Sequence, residues 1–163
     1  VPLSISYEIE PCGAQKVKEL MGKQENPDYA KTLEDDLRAM DSSLEDSVGR
    51  VDFNFGEPID IDAIDFGEAK HTNAKLAVLA KYIDEQIYKN YKLWPNNYVA
   101  YDWLHASNKY KDEYSLAEKK TFEELTEQRL GKSGKPSEEA IQYWLRMYAN
   151  PVLNKEKVSN VLI

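Results

Sequence analysis

The sequence predicts an α/β fold in which two β-strands, with helices between them, are followed by a mostly α-helical region. Residues 4–10 and 48–59 alternate between apolar and polar side chains, which is typical of strands, and no later segment does so. The first 68 residues have a net charge of −11, whereas the remaining 95 have a net charge of +3. Because pattern and charge change together near Phe66-Gly67, we expect an α/β part over 1–67 and a helical region over 68–163.

The first predicted strand begins close to the start of the chain. Its apolar face carries Ile5, Tyr7 and Ile9, while serine and glutamate side chains occupy the other face. This alternation predicts a strand whose polar face, which includes Ser4 and Ser6, is in contact with water. Pro11-Cys12-Gly13 ends the strand, since proline and glycine interrupt regular structure.

Two helices are expected before the second strand. The first covers roughly 14–24, and the second begins after Thr32, an N-cap residue followed by acidic side chains that suit a helix N-terminus. The second helix has an apolar stripe that consists of Leu33, Leu37, Met40 and Leu44. In the strand that follows, Val51, Phe53 and Phe55 share a face opposite to Arg50, Asp52 and Asn54.

Four helices are predicted in the second part of the chain. Helical spacing of apolar residues extends over 72–91, 97–107 and 115–130. A last helix begins after the N-cap Ser137, and Asn150-Pro151 is expected to end it.

The two strands are too few for an independent sheet, and the pattern of the first one is already under way at Val1. A two-stranded sheet needs further strands or a packed layer to be stable. We therefore expect the chain to be a piece of a larger protein whose N-terminal part completes the sheet.

Composition excludes several classes of protein. The net charge of −8 argues against a general nucleic-acid binder, because phosphate neutralisation needs a basic surface. A single cysteine rules out a disulfide framework. The two histidines, His71 and His105, have no metal-ligand spacing, and each is interpreted as a surface or helix-end residue; no metal and no cofactor are predicted.

The segment 88–104 contains four tyrosines and two tryptophans. Aromatic side chains with polar tips suit an interface with a protein or with a membrane surface. They equally suit a corner between two helices that packs against the sheet. Both interpretations stay open at the level of sequence.

The order of several segments resembles glycerolipid acyltransferases of the PlsC type. Residues 1–5 resemble a hydrophobic strand with a proline in that family, and 49–59 resemble a later strand that ends in a Gly-x-Pro-Ile turn. Residues 7–12, 26–37 and 97–101 look like a bacterial subgroup with a long insertion. The resemblance covers about residues 1–105. It implies the C-terminal part of an acyltransferase-type α/β sheet.

The resemblance implies transfer of a fatty acyl group from acyl-CoA or an acyl-carrier protein to a glycerol-phosphate-type or lysophospholipid acceptor, in phospholipid biosynthesis. The family's catalytic His-x-x-x-x-Asp motif does not occur in this chain, since Leu76 follows His71 and Tyr110 follows His105 at that spacing. We therefore expect the catalytic residues in the missing N-terminal part, and no activity from this chain alone. The resemblance further implies a cytoplasmic protein that is peripheral on the inner face of the membrane.

One candidate substrate-binding residue follows from the resemblance. Arg50 is the basic residue on the second strand and is expected to help bind an anionic substrate, and Pro2 and 4–6 are expected to line or brace an acyl groove. The alternative for Arg50 is a surface ion pair with one of the many carboxylates. The alternative for the chain is a non-catalytic helical module that binds a protein or a membrane.

Overall fold

The computed structural model describes residues 1–26, 28–45, 47–131 and 134–160. Within these residues the chain forms two strands, six α-helices and one 3₁₀ turn, which confirms the mixed α/β and mostly helical class. The strands are β1 (Leu3–Tyr7) and β2 (Val51–Phe55). The helices are α1 (Gly13–Glu25), α2 (Leu33–Glu45), α3 (Thr72–Asn90), α4 (Pro95–Leu104), α5 (Leu116–Leu130) and α6 (Glu138–Asn160), and the 3₁₀ turn covers Ile61–Ala63.

The chain divides into two compact units that are each discontinuous in sequence. The first unit comprises residues 1–6, 51–92 and the C-terminal stretch from Leu153. The second comprises residues 7–50 and 93–152. The predicted boundary at Phe66-Gly67 stays a prediction.

The first unit contains most of an antiparallel pair formed by β1 and β2. The Gly56 N–H donates to the Pro2 carbonyl at 2.9 Å, and this register places Leu3 opposite Phe55 and Ile5 opposite Phe53. All four apolar side chains are exposed, from 37% for Ile5 to 72% for Phe55. The pair therefore presents an apolar sheet face, defined by these four residues, to solvent.

The expectation that the serine face of β1 is in contact with water was wrong. Ser4 and Ser6 are 2% and 0% exposed. The Ser6 Oγ accepts a hydrogen bond from the Lys92 N–H at 2.9 Å, at the end of the segment that follows α3. The small serine side chains allow backbone to approach closely on this face, and close packing, rather than hydrophobicity, decides which face is buried.

The second unit has a core in which α1, α4, α5 and α6 meet. Its buried side chains are Val17, Val99, Ala100, Phe122, Ala140, Trp144, Leu145, Tyr148 and Ala149. Trp144 packs against the first turn of α1, where a Cβ on Gly13 would lie 2.7 Å from its ring. The ring of Tyr148 contacts Phe122 edge-on, with centroids 5.0 Å apart. Gly13 is thus required for the approach of α1 to α6.

The prediction that Asn150-Pro151 ends the last helix was also wrong, because α6 continues to Asn160. Pro151 has no N–H to donate to the Met147 carbonyl, so a helix normally loses stability there. Here the Asn97 Nδ2 donates to the neighbouring Tyr148 carbonyl at 2.9 Å, and Val152 is 1% exposed. Tertiary contacts on both sides of the proline stabilise the continuous helix.

Candidate functional site

The candidate site in the second unit is centred on Arg50, the predicted substrate-binding residue. The guanidinium Nε and Nη2 donate to the Glu8 carboxylate at 3.1 and 2.7 Å, and the Arg50 backbone N–H donates to the same carboxylate at 2.9 Å. Glu8 in turn donates its own N–H to the Arg50 carbonyl at 2.9 Å. Backbone pairing thus fixes the two residues opposite one another, and the side chains form a bidentate ion pair.

Trp94 forms a platform beneath the guanidinium. The Arg50 Cζ lies 4.8 Å from the centroid of the indole ring, within the range of a cation–π contact. Trp94 is only 4% exposed and directly precedes α4. The Asn97 Oδ1 accepts a hydrogen bond from the backbone N–H of Trp94 at 2.7 Å. This capping contact of α4 therefore also orders the backbone that carries the indole ring. Arg50 is therefore held by a carboxylate at its edge and an aromatic ring at its face.

The electrostatics of the site follow from this ion pair. The hydrogen bonds from Arg50 lower the pKa of Glu8 and raise that of Arg50 itself. Glu118 lies in the first turn of α5, and the hydrogen bond that its carboxylate accepts from the Ser115 N–H at 2.7 Å lowers the pKa of Glu118 as well. Both carboxylates are thus kept ionised beside one guanidinium.

A shallow cleft of about 280 Å³ adjoins the ion pair. Its lining combines Glu8, Asn96 and Glu118 with apolar side chains from α5, including Phe122 and Leu125. Asn96 is itself fixed, since its Nδ2 donates to the Glu8 carbonyl at 2.7 Å. An anionic substrate has to replace the Glu8 carboxylate before it binds Arg50. The structure places Arg50 in an ion pair, as the alternative expected, and its role in substrate binding stays a prediction.

Sequence reasoning missed Glu8 and Trp94 as partners of Arg50. Glu8 carried a usable signal, because it lies on the predicted strand that would pair with the strand of Arg50. Trp94 carried none, since it lies 44 positions away and only the tertiary structure brings it beneath the guanidinium.

The histidines and the cysteine occupy helix ends. His71 is the N-cap of α3, and His105 is the C-cap of α4, where its ring lies tilted against that of Tyr101 with centroids 4.5 Å apart. Cys12 precedes α1 with a φ of 55°, and its thiol donates to the Ala39 carbonyl at 3.3 Å. The placements of the two histidines match the surface or helix-end role that the sequence favoured.

The α4 part of the aromatic segment packs mainly within the second unit. Val99 and Ala100 are 1% and 0% exposed, and the ring of Tyr101 meets that of Tyr110 edge-on at 5.0 Å. Trp103 differs, since it is 38% exposed. A helix corner therefore accounts for most of α4.

No helix in the described part of the chain has the length and apolar character that a membrane crossing needs. Comparison with known proteins finds no matching family model, no matching curated protein and no matching solved structure.

Proposed function

We propose that this chain is the C-terminal part of an acyltransferase that moves a fatty acyl group from acyl-CoA or an acyl-carrier protein to a glycerol-phosphate-type acceptor. The catalytic His and Asp would belong to the N-terminal part of the same protein. The chain would supply two strands and a helical region, and Arg50 would be its contact with the anionic substrate.

One structural observation supports this proposal more than any other. Two of the segments on which the resemblance depends, 1–5 and 49–59, are far apart in sequence. Residues 1–5 contain the start of β1 and residues 49–59 contain β2, and these two strands pair with each other. The paired strands expose the apolar sheet face of Leu3, Ile5, Phe53 and Phe55. An exposed apolar face of this kind is where another layer of helices or strands from the rest of a larger protein would pack.

The experiment uses the protein expressed from its complete reading frame. Labelled acyl groups on CoA or on acyl-carrier protein are offered with glycerol 3-phosphate or a lysophospholipid, and transfer is measured. We expect activity that is lost when the histidine of an upstream His-x-x-x-x-Asp motif is replaced by alanine and circular dichroism is unchanged. Absence of that motif upstream, or transfer by residues 1–163 alone, would refute the proposal.

A second experiment tests Arg50 against a matched variant. Arg50→Gln should raise the KM for the anionic acceptor in the complete protein, whereas Arg38→Gln should leave it unchanged. Arg38 is a suitable control because it is also exposed and also paired with a glutamate, Glu34, at 2.6 Å. If Arg50→Gln, like Arg38→Gln, left the KM of the unmodified protein unchanged, Arg50 would have no role beyond its ion pair with Glu8.

One observation favours the alternative function, a non-catalytic interaction module. Leu33, Leu37 and Met40 of α2 are 57–76% exposed on one face of the helix. A partner protein could cover this stripe. Absence of an upstream His-x-x-x-x-Asp motif, together with stable binding of a partner protein by α2, would favour the interaction module over the enzyme.

A further inference from the structure

The antiparallel pair of β1 and β2 has an open edge along β2. The Gly56 N–H donates to the Pro2 carbonyl at 2.9 Å, so the even-numbered residues of β2 direct their backbone groups towards β1. Residues between the hydrogen-bonded positions of an antiparallel ladder direct their N–H and C=O groups away from the partner strand. The odd-numbered residues therefore form the β2 edge, which consists of Val51, Phe53 and Phe55.

The β2 edge is unprotected within the part of the chain that the structure describes. The described residues form a sheet of two strands, so no third strand among them pairs with this edge. Phe53 and Phe55 are 59% and 72% exposed. Soluble proteins commonly protect such edges with proline, lysine or a covering segment, and β2 contains neither proline nor lysine. The β2 edge is thus suited to pairing with another strand.

The first unit also contains little buried apolar surface of its own. Among its residues whose burial is described, those that are buried are Pro2, Ser4 and Ser6, and none of these is a large apolar side chain. Helix α3 has no buried residue along its 19 positions. A sheet of two strands is marginally stable, whereas three or more strands with an apolar face are stable. Additional strands would therefore stabilise this unit.

The occupant that matches the β2 edge is the same edge of a second copy. A strand that pairs with its own copy in antiparallel orientation does so about a two-fold axis, which gives the isologous interface of a homodimer. Both copies direct the same odd-numbered residues outward, so Phe53 lies opposite Phe53 of the second copy, and Val51 lies opposite its Phe55. In this register all five residues of β2 are paired.

The polar side chains of β2 favour the same register. The Asp52 carboxylate of each copy lies opposite the Asn54 amide of the other, whose N–H donates to it. A shift that places Val51 opposite Phe53 would bring the two Asp52 carboxylates opposite one another, and like charges in this position are destabilising. The Asp52 side chain retains 32% exposure although it lies 3.9 Å from the Lys92 Nζ, which leaves room for the amide.

We infer that the chain forms a homodimer in which two β2 edges pair in antiparallel orientation, and the strands then follow the order β1-β2-β2-β1. The apolar sheet faces of both copies lie next to each other on one side of this sheet. The Phe53 side chains stay on the open face, because the pairing uses backbone groups. The inference does not rest on the proposed acyltransferase, since it uses the edge of β2 and leaves the apolar sheet face open to another layer.

The test combines sedimentation velocity with amide hydrogen exchange of the 163-residue chain over a roughly hundredfold range of concentration. We expect a monomer at low concentration and a dimer at high concentration. The Phe53 and Phe55 amides should become protected as the dimer forms, whereas the Asn54 amide, which faces β1, should be protected equally throughout. A chain that stays monomeric, or a dimer in which the Phe53 and Phe55 amides exchange as fast as in the monomer, would overturn the inference.

The complete protein distinguishes a second copy from another segment of the same protein. The same exchange measurement should show protection of the Phe53 and Phe55 amides that increases with protein concentration. Protection that is already complete in a monomer would show that a segment of the same protein covers the β2 edge, and it would also overturn the inference.

Phe53→Pro removes the central N–H of the β2 edge. That N–H points away from β1, so the ladder between β1 and β2 keeps its hydrogen bonds, and proline is tolerated at such a position of an edge strand. The variant should therefore be monomeric at every concentration, with an unchanged circular dichroism spectrum. A dimer in folded Phe53→Pro would contradict pairing through this edge.

Charge variants examine the register and keep the test valid if Phe53→Pro fails to fold. Asn54→Asp places a carboxylate opposite each Asp52 and should weaken the dimer about tenfold. Asn73→Asp adds the same charge at an exposed position in the first turn of α3 and should not change the dimer. Asn54→Asp combined with Asp52→Asn again places an acid opposite an amide and should restore dimerisation. An unchanged dimer in Asn54→Asp, or no recovery in the double variant, would refute the proposed register.

Discussion

Backbone hydrogen bonds as well as opposite charges hold Glu8 and Arg50 together. Three hydrogen bonds from Arg50 reach the Glu8 carboxylate, and the Glu8 side chain is 23% exposed. An exposed ion pair on flexible side chains contributes little to stability. Here strand pairing already orders both residues, so less side-chain freedom is lost when the pair forms.

The titration of Glu8 should report this arrangement. The hydrogen bonds from Arg50 hold the pKa of Glu8 below its ordinary value of 4.5. A carboxylate with a lowered pKa stabilises the fold above its ordinary pKa, and this contribution is lost as the pH falls through the lowered value. Arg50→Gln should raise the Glu8 pKa towards 4.5, as followed by carbon-detected NMR of the side-chain carboxyl.

Glu19 supplies the control for that titration. Its pKa is also lowered, mainly by a hydrogen bond from Lys23 at 2.6 Å, and Arg50 does not contribute to the shift. The Glu19 pKa should therefore be the same in Arg50→Gln and in the unmodified chain. If the Glu8 pKa were also unchanged, the ion pair would not form in solution.

At the scale of the element, β1 has an inverted relation between polarity and burial. Its serines are buried, and its leucine and isoleucine are partly exposed. The two serines differ in their hydrogen bonds: the Ser6 Oγ accepts from the Lys92 N–H, whereas the Ser4 Oγ is buried without a partner within the described residues.

This difference predicts opposite outcomes for two similar substitutions. Ser6→Ala removes the acceptor of the Lys92 N–H and should lower the free energy of unfolding by about 1–2 kcal/mol. Ser4→Ala removes an unsatisfied hydroxyl and should be neutral or slightly stabilising. Urea denaturation of both variants measures the difference. Equal effects of the two substitutions would show that the Ser6 hydrogen bond does not stabilise the strand.

At the scale of the molecule, the exposed apolar sheet face is a feature that would be unfavourable in a chain that remained isolated in water. Leu3, Ile5, Phe53 and Phe55 lie side by side on two strands and remain in contact with solvent. Contiguous apolar patches on soluble proteins commonly mark surfaces of interaction. Under the proposed function, another layer from the rest of the protein covers this face.

That assignment predicts different effects of one substitution in two contexts. Phe53→Ser should change the unfolding free energy of residues 1–163 by less than about 0.5 kcal/mol, because Phe53 is 59% exposed. In the complete protein, where the face would be covered, the same change should cost about 3 kcal/mol. Leu116→Ser is the matched control, since Leu116 is 86% exposed on α5 and should have little effect in either context. A small effect of Phe53→Ser in the complete protein would argue against a covered sheet face.

Local patterns in the sequence predict most of the helices and strands of this protein. Alternation at β1 and β2, helical spacing in α3 and α5, and the N-caps at Thr32 and Ser137 are local signals, since each depends on residues within a few positions of one another. Ser115 and Glu118 form the reciprocal hydrogen bonds of a capping box within one turn. Local signals of this kind are readable from a single sequence.

Only the tertiary structure decided which faces are buried and which side chains meet. Ser4 and Ser6 are buried although they are polar, α6 continues to Asn160 although the Met147 carbonyl loses its helical donor at Pro151, and Arg50 meets Trp94 across 44 positions of sequence. These outcomes depend on groups that are distant in the chain, and their free energies of packing exceed the local preferences of serine and proline. Local sequence patterns therefore specified most of the helices and strands, and long-range packing specified their environments.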